Sequence, residues 1–133
     1  MIETQLPALV AQRERDKAPA PTARRLPNGG YLITVPEVDI GTGWSQRSVT
    51  VLFVAPPGYP AARPDCFWVE PCGLRLAGGI TPQNTNDSNP IPGDDVAGRG
   101  TTWFSWHLQT WNPNTDSLVT FFNVIMNRLK PAR

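Results

Sequence analysis

Val49-Thr50-Val51-Leu52-Phe53-Val54-Ala55-Pro56-Pro57-Gly58-Tyr59-Pro60 is the stretch that decides what fold this chain can take. Val49, Val51, Phe53 and Ala55 alternate with Thr50, Leu52 and Val54, the period of two that sends successive side chains to opposite faces of a strand. One face is wholly apolar and the other still largely so, which suits a sheet covered by a helix on one side. Pro56-Pro57-Gly58-Tyr59-Pro60 then ends the strand, because proline brings no N–H to a ladder. The same punctuation recurs throughout: 15 prolines in 133 residues, set singly or in pairs between apolar segments, against a usual share of about 5%. A chain cut that often builds short elements and not a helical bundle.

Toward the N-terminus, Tyr31 to Val35 is aromatic and β-branched and reads as a second strand, preceded by the turn signal Asn28-Gly29-Gly30. Before it, residues 4–17 carry Leu6, Leu9, Val10 and Arg13 at helical spacing, and Pro19, Pro21 and Pro27 forbid continuation. Toward the C-terminus, Cys66 to Val69 supplies another short strand. From Gly73 to Gly100 Asn, Asp, Gly, Pro, Ser and Thr dominate, a long loop of the kind that is functional or mobile. With almost no apolar side chains to bury, residues 80–100 are expected to be the most mobile part of the domain.

The aromatic stretch Trp103-Phe104-Ser105-Trp106-His107-Leu108-Gln109-Thr110-Trp111 follows. Asn112-Pro113-Asn114 turns the chain, and Thr115 or Asp116 can cap a final helix. Leu118, Phe121, Phe122, Ile125 and Leu129 give that helix a clear apolar face. The expectation is one α+β domain over residues 1–133: an N-terminal helix, a four-stranded antiparallel meander, a long loop, and a C-terminal helix packed on the sheet.

Bulk properties narrow the function. Twelve basic side chains against eleven acidic ones leave a net charge of +1, with no electrostatic case for nucleic acid or an anionic membrane. Arg13, Arg15, Arg24 and Arg25 cluster, but Glu14 and Asp16 interrupt them, so they read as a solvated helix face and linker. No apolar run approaches the roughly 20 residues of a membrane span, and the start Met1-Ile2-Glu3-Thr4 lacks a secretion signal. A cytoplasmic address is the default expectation. Two cysteines, Cys66 and Cys72, and one histidine are too few for a disulfide scaffold or a four-ligand zinc site, so no metal is expected.

The candidate chemistry sits in the aromatic stretch. Ser105 and His107 are two residues apart, and in an extended segment such residues share a face. A hydroxyl activated by a neighbouring imidazole is the logic of oxygen nucleophiles in acyl transfer; the competing reading has both side chains satisfying local backbone groups. Cys66, at a strand position beside Phe67 and Trp68, reads as a small core hydrophobe. Cys72, between Pro71 and Gly73, reads as the more exposed thiol. At least two of Trp103, Trp106 and Trp111 are expected to be largely buried, and Asp94 and Asp95 to be solvated.

Several of these residues carry a resemblance. Gly58-Tyr59-Pro60, Arg63-Pro64-Asp65-Cys66-Phe67-Trp68, Leu74-Arg75-Leu76, Ser105 with His107, and Trp111-x-Pro113-x-x-Asp116-x-Leu118 resemble family E of the prokaryotic ubiquitin-conjugating-like proteins, from about residue 28 to 130. The resemblance implies the ubiquitin-conjugating (UBC-like) fold and acyl transfer of a ubiquitin-like modifier. It implies as partners that modifier, an activating enzyme with a nucleotide-binding domain, and a metallopeptidase of the JAB type in the same pathway. It implies no bound cofactor, since adenylation belongs to the activating enzyme.

The sequence departs from typical members. It has no His-Pro-Asn tripeptide, Asn89-Pro90 being only an echo, and Trp103 stands about where the cysteine nucleophile belongs. The leading expectation is therefore a non-classical acyl-transfer site with Ser105 as acceptor and His107 as base, or His107 alone. The alternative is a non-catalytic module that binds the modifier or the activating enzyme, and a third is a protein–protein interaction domain of the related RWD type.

Overall fold

A computed structural model describes residues Met1–Arg133. Helix α1 spans Ile2–Arg15, and the strands are β1 Thr22–Arg25, β2 Tyr31–Asp39, β3 Ser48–Ala55, β4 Phe67–Glu70, β5 Thr85–Asn86 and β6 Thr102–Phe104; helix α2 spans Leu118–Leu129. All pairings are antiparallel, in the order β1-β2-β3-β4-β6-β5. The α+β class and the two terminal helices match the expectation, but the sheet has six strands, not four.

The two additional strands sit at the edges. Thr22-Ala23-Arg24-Arg25, read above as linker, is the mostly exposed β1 and has no apolar alternation to betray it. β5 is two residues long and rests on its backbone pairing with β6. The order is also not a plain meander. The chain leaves β4, forms β5 at the far edge, and returns to insert β6 between them.

Alternation along the strands sorts the core into two layers. Ile33, Val35, Val51, Phe53, Phe67, Val69 and Phe104 join one buried cluster with residues of both helices. Their neighbours Leu32, Leu52, Val54 and Trp68 join a second cluster on the opposite face, with Leu26, Cys66 and Ile91. Ile91 comes from the long polar loop, so that loop covers the face the helices leave open. Ion pairs hold it there: Arg24 with Asp94 and Asp95, Arg99 with Asp94 and Glu70, and Arg75 with Asp87. Asp94 and Asp95, expected to be merely solvated, are thus engaged.

Strand β2 runs past Pro36, where the sequence suggested a stop at Val35, because the pairing shifts register between Val35 and Val38. Glu37 within this bulge has φ 51, and the buried Arg13 donates to the carbonyls of Pro36 and Glu37 at 3.0 and 2.9 Å. Helix α2 begins after Ser117, whose N–H donates to Thr120 Oγ1 at 3.0 Å. The expected cap Asp116 instead accepts from the Asn112 N–H at 2.8 Å, closing the preceding turn. A 12-residue helix is marginal alone. Burial of Leu118, Phe121, Phe122, Ile125 and Leu129, at about 1.5–3 kcal/mol each, is what stabilises it.

The aromatic residues divide differently from expectation. Trp44 and Trp68 are the buried tryptophans, whereas Trp103, Trp106 and Trp111 are each only partly buried against the two clusters. The pairing of β4 with β6 stops at Phe67 and Phe104. The residues just beyond that point, on both strands, form the candidate site.

Candidate active site beyond the paired ends of β4 and β6

Ser105, Trp106 and His107 continue the line of β6. The Ser105 N–H donates to the Asn84 carbonyl at 2.8 Å on one side, and the Trp106 carbonyl accepts from the Cys66 N–H at 3.0 Å on the other. The segment is thereby held extended between its neighbours. Ser105 and His107 fall together as their spacing predicts, with Ser105 Oγ 3.3 Å from His107 Nε2.

A third group completes the chain. His107 Nδ1 stands 2.6 Å from Asp65 Oδ1, and a carboxylate can only accept, so Nδ1 carries the proton. That tautomer leaves the Nε2 lone pair facing the Ser105 hydroxyl. Serine, histidine and carboxylate thus stand in line, a relay of the kind that acyl transfer can use. The Asp65 and His107 side chains are each 63% exposed, so the relay lies open at the surface.

Cys66 occupies an unusual backbone position. Its φ is 61, a left-handed conformation costing a non-glycine residue roughly 1 kcal/mol or more. In a regular strand Asp65 and Cys66 would point to opposite faces. Here both reach the same nitrogen: Cys66 Sγ lies 3.9 Å from His107 Nδ1. Cys66 is buried among apolar side chains, as expected of a core residue. Burial pushes its thiol up, and the charge of Asp65 adds to that. Cys72 is exposed but lies past the opposite end of β4.

A groove of about 330 Å³ adjoins the imidazole, lined by Trp106, Leu108, Trp111, Asp116, Thr120 and Val124 along with His107. Trp111 is fixed there by its indole N–H, which donates to the Pro60 carbonyl at 2.8 Å, and by Tyr59, whose ring centre is 6.0 Å away. The Tyr-Pro and Trp-x-Pro segments therefore meet in space. As possible metal donors, Asp65, Cys66 and His107 present ligand atoms all within 4.8 Å of one another.

No local pattern in the sequence marks Asp65 as a site residue. The signal available was the strand at Cys66–Val69: paired antiparallel with the aromatic segment, it brings Asp65 and Cys66 opposite Ser105–His107.

A family model described as Prokaryotic E2 family E matches residues 25–132, more than three quarters of the chain, and places it in the E2-like class. The chain belongs to prokaryotic E2 family E. No curated protein and no solved structure matches it. No helix is long and apolar enough to cross a membrane.

Proposed function

We propose that this E2-like protein accepts a ubiquitin-like modifier from an activating enzyme as an oxygen ester on Ser105. His107 takes the hydroxyl proton at Nε2 while Ser105 Oγ attacks the carbonyl of the activated modifier. Asp65 holds the imidazole in the productive tautomer. The activating enzyme's group leaves, and His107 returns the proton to that leaving group.

One observation carries the reading: the unbroken path from Ser105 Oγ through His107 to Asp65, at 3.3 and 2.6 Å. Between the available nucleophiles, exposure and environment favour the serine. The Cys66 thiol is buried and held protonated by that burial, whereas Ser105 faces its base. The adjoining groove, at about 330 Å³, is large enough to receive an extended peptide tail.

The test is a charging assay with the modifier, activating enzyme and ATP. Wild type gains the modifier's mass; Ser105→Ala and His107→Ala do not, and Cys66→Ala with Cys72→Ala does. A wild-type chain that binds the modifier yet never becomes charged would instead make this a non-catalytic module.

A further inference from the structure

Asp65 and Cys66 are sequence neighbours that converge on one imidazole nitrogen, and the relay described above uses only the first of them. The strained backbone at Cys66 turns a thiol toward a site where acyl transfer to Ser105 has no need of one. A carboxylate oxygen, a thiol sulfur and an imidazole nitrogen form a mixed donor set that suits Zn²⁺ better than the oxygen-seeking Mg²⁺ or Ca²⁺.

We propose that Asp65, Cys66 and His107 bind one thiophilic divalent cation, Zn²⁺, and that its binding silences the Ser105 hydroxyl. The second half rests on the acyl-transfer reading; the first does not.

The distances come close to those required. With Zn–N and Zn–O near 2.0–2.2 Å and Zn–S near 2.3 Å, tetrahedral ligand atoms stand about 3.3–3.6 Å apart. Sulfur and nitrogen are already 3.9 Å apart. The carboxylate and imidazole, at 2.6 Å, must open by less than about 1 Å to meet the same tetrahedron. Both are exposed side chains free to do so, while the buried Cys66 is the fixed point. Three protein ligands leave a fourth position for water.

The proton balance couples binding to function. The thiol releases one proton to solvent, so thiolate and carboxylate together neutralise the ion. The imidazole's proton moves from Nδ1, now a ligand, to Nε2. Nε2–H then donates to Ser105 Oγ where it previously accepted, and the serine loses its base. Cation binding and serine activation demand opposite tautomers of one histidine and exclude each other.

The experiment uses the full chain alone, stripped with a chelator and titrated with Zn²⁺ by calorimetry and with Co²⁺ by absorbance. One ion per chain is expected, with release of one proton read from buffer-dependent heats and a thiolate-to-cobalt charge-transfer band. Removing a group that merely hydrogen-bonds a metal ligand costs about 10–100-fold in affinity, so Cys66→Ser, which loses a ligand, should weaken Zn²⁺ at least about 100-fold and abolish the band. The exposed His107→Gln should do the same without touching the core, which guards against misfolding of the cysteine variant. Ser105→Ala should bind the ion normally although it cannot be charged, so failure of charging and failure of binding are separable. Absence of binding, or a cobalt spectrum without the thiolate band, overturns the site, as does a band that survives Cys66→Ser and vanishes in Cys72→Ser. Charging of wild type that proceeds unchanged under saturating Zn²⁺ overturns the silencing.

Discussion

Asp65 and His107 lie 42 positions apart in the chain and 2.6 Å apart in space. On the proposed reading Asp65 reaches the serine only through the imidazole that it contacts. Its loss should therefore change which nitrogen carries the proton more than it changes binding of the modifier. Asp65→Asn is expected to lower the rate of ester formation about 100-fold or more, within the range general-base catalysis contributes, while modifier affinity stays within a factor of two or so. Single-turnover charging at saturating modifier reads the first and calorimetry the second. Equal losses in both would assign Asp65 a merely structural place.

At the scale of elements, helix α2 is tied to the far sheet edge by Arg128. This side chain is 1% exposed and has no carboxylate partner. Its Nη2 donates to the Gln83 carbonyl at 2.7 Å, and its guanidinium lies 4.9 and 5.6 Å from the rings of Phe104 and Trp106. Burial, with the nearby Arg133, pushes its pKa down to about 10, so it stays charged at neutral pH. Arg128→Ala leaves a cavity, an unpaired carbonyl just before β5 and the Phe104 ring without its cation. A loss of about 2–4 kcal/mol is expected, measured by urea unfolding; a loss below about 1 kcal/mol would show that the rings close over the gap.

The loop over the second apolar face gives a pH prediction. Hydrogen bonding from Arg75 holds the Asp87 carboxyl below the ordinary carboxylate range, and Arg24 does the same for Asp95. A lowered carboxyl stabilises the folded state fully while the pH is above its unfolded value. That contribution fades as pH falls through the lower folded value. Amide exchange in residues 85–100, corrected for intrinsic rates, should therefore rise relative to α2 below about pH 4. A loop exchanging in step with α2 across that range would show the ion pairs do not hold it.

At the scale of the whole molecule, the sequence revealed the elements that announce themselves through side-chain periodicity. The alternation of β3 and the apolar face of α2 were legible because both elements bury that face against the core. β1 was not, since an exposed edge strand needs no apolar pattern. β5 was not, since two residues carry no period at all. The cover over the sheet's second face was hidden for a related reason. It is made by Ile91, by ion pairs and by the Asn89 carbonyl, which accepts from the Trp68 indole at 2.9 Å, inside a segment whose composition reads as solvated.

The site divides in the same way. Ser105 and His107 were readable because their relation is local, two positions along an extended chain. Asp65 and Cys66 were not, because they arrive through the β4–β6 pairing across the long loop. A left-handed Cys66 is visible in no residue pattern.

On the proposed reading, an E2-like chain without a cysteine at the expected position uses a serine–histidine–aspartate relay. The chemistry of the bond to the modifier tests it most directly. Wild type charged with modifier should keep the added mass through thiol reductant and lose it to hydroxylamine or mild base, and peptide mapping should place the adduct on Ser105. An adduct that collapses with reductant and maps to Cys66 or Cys72 would contradict the account.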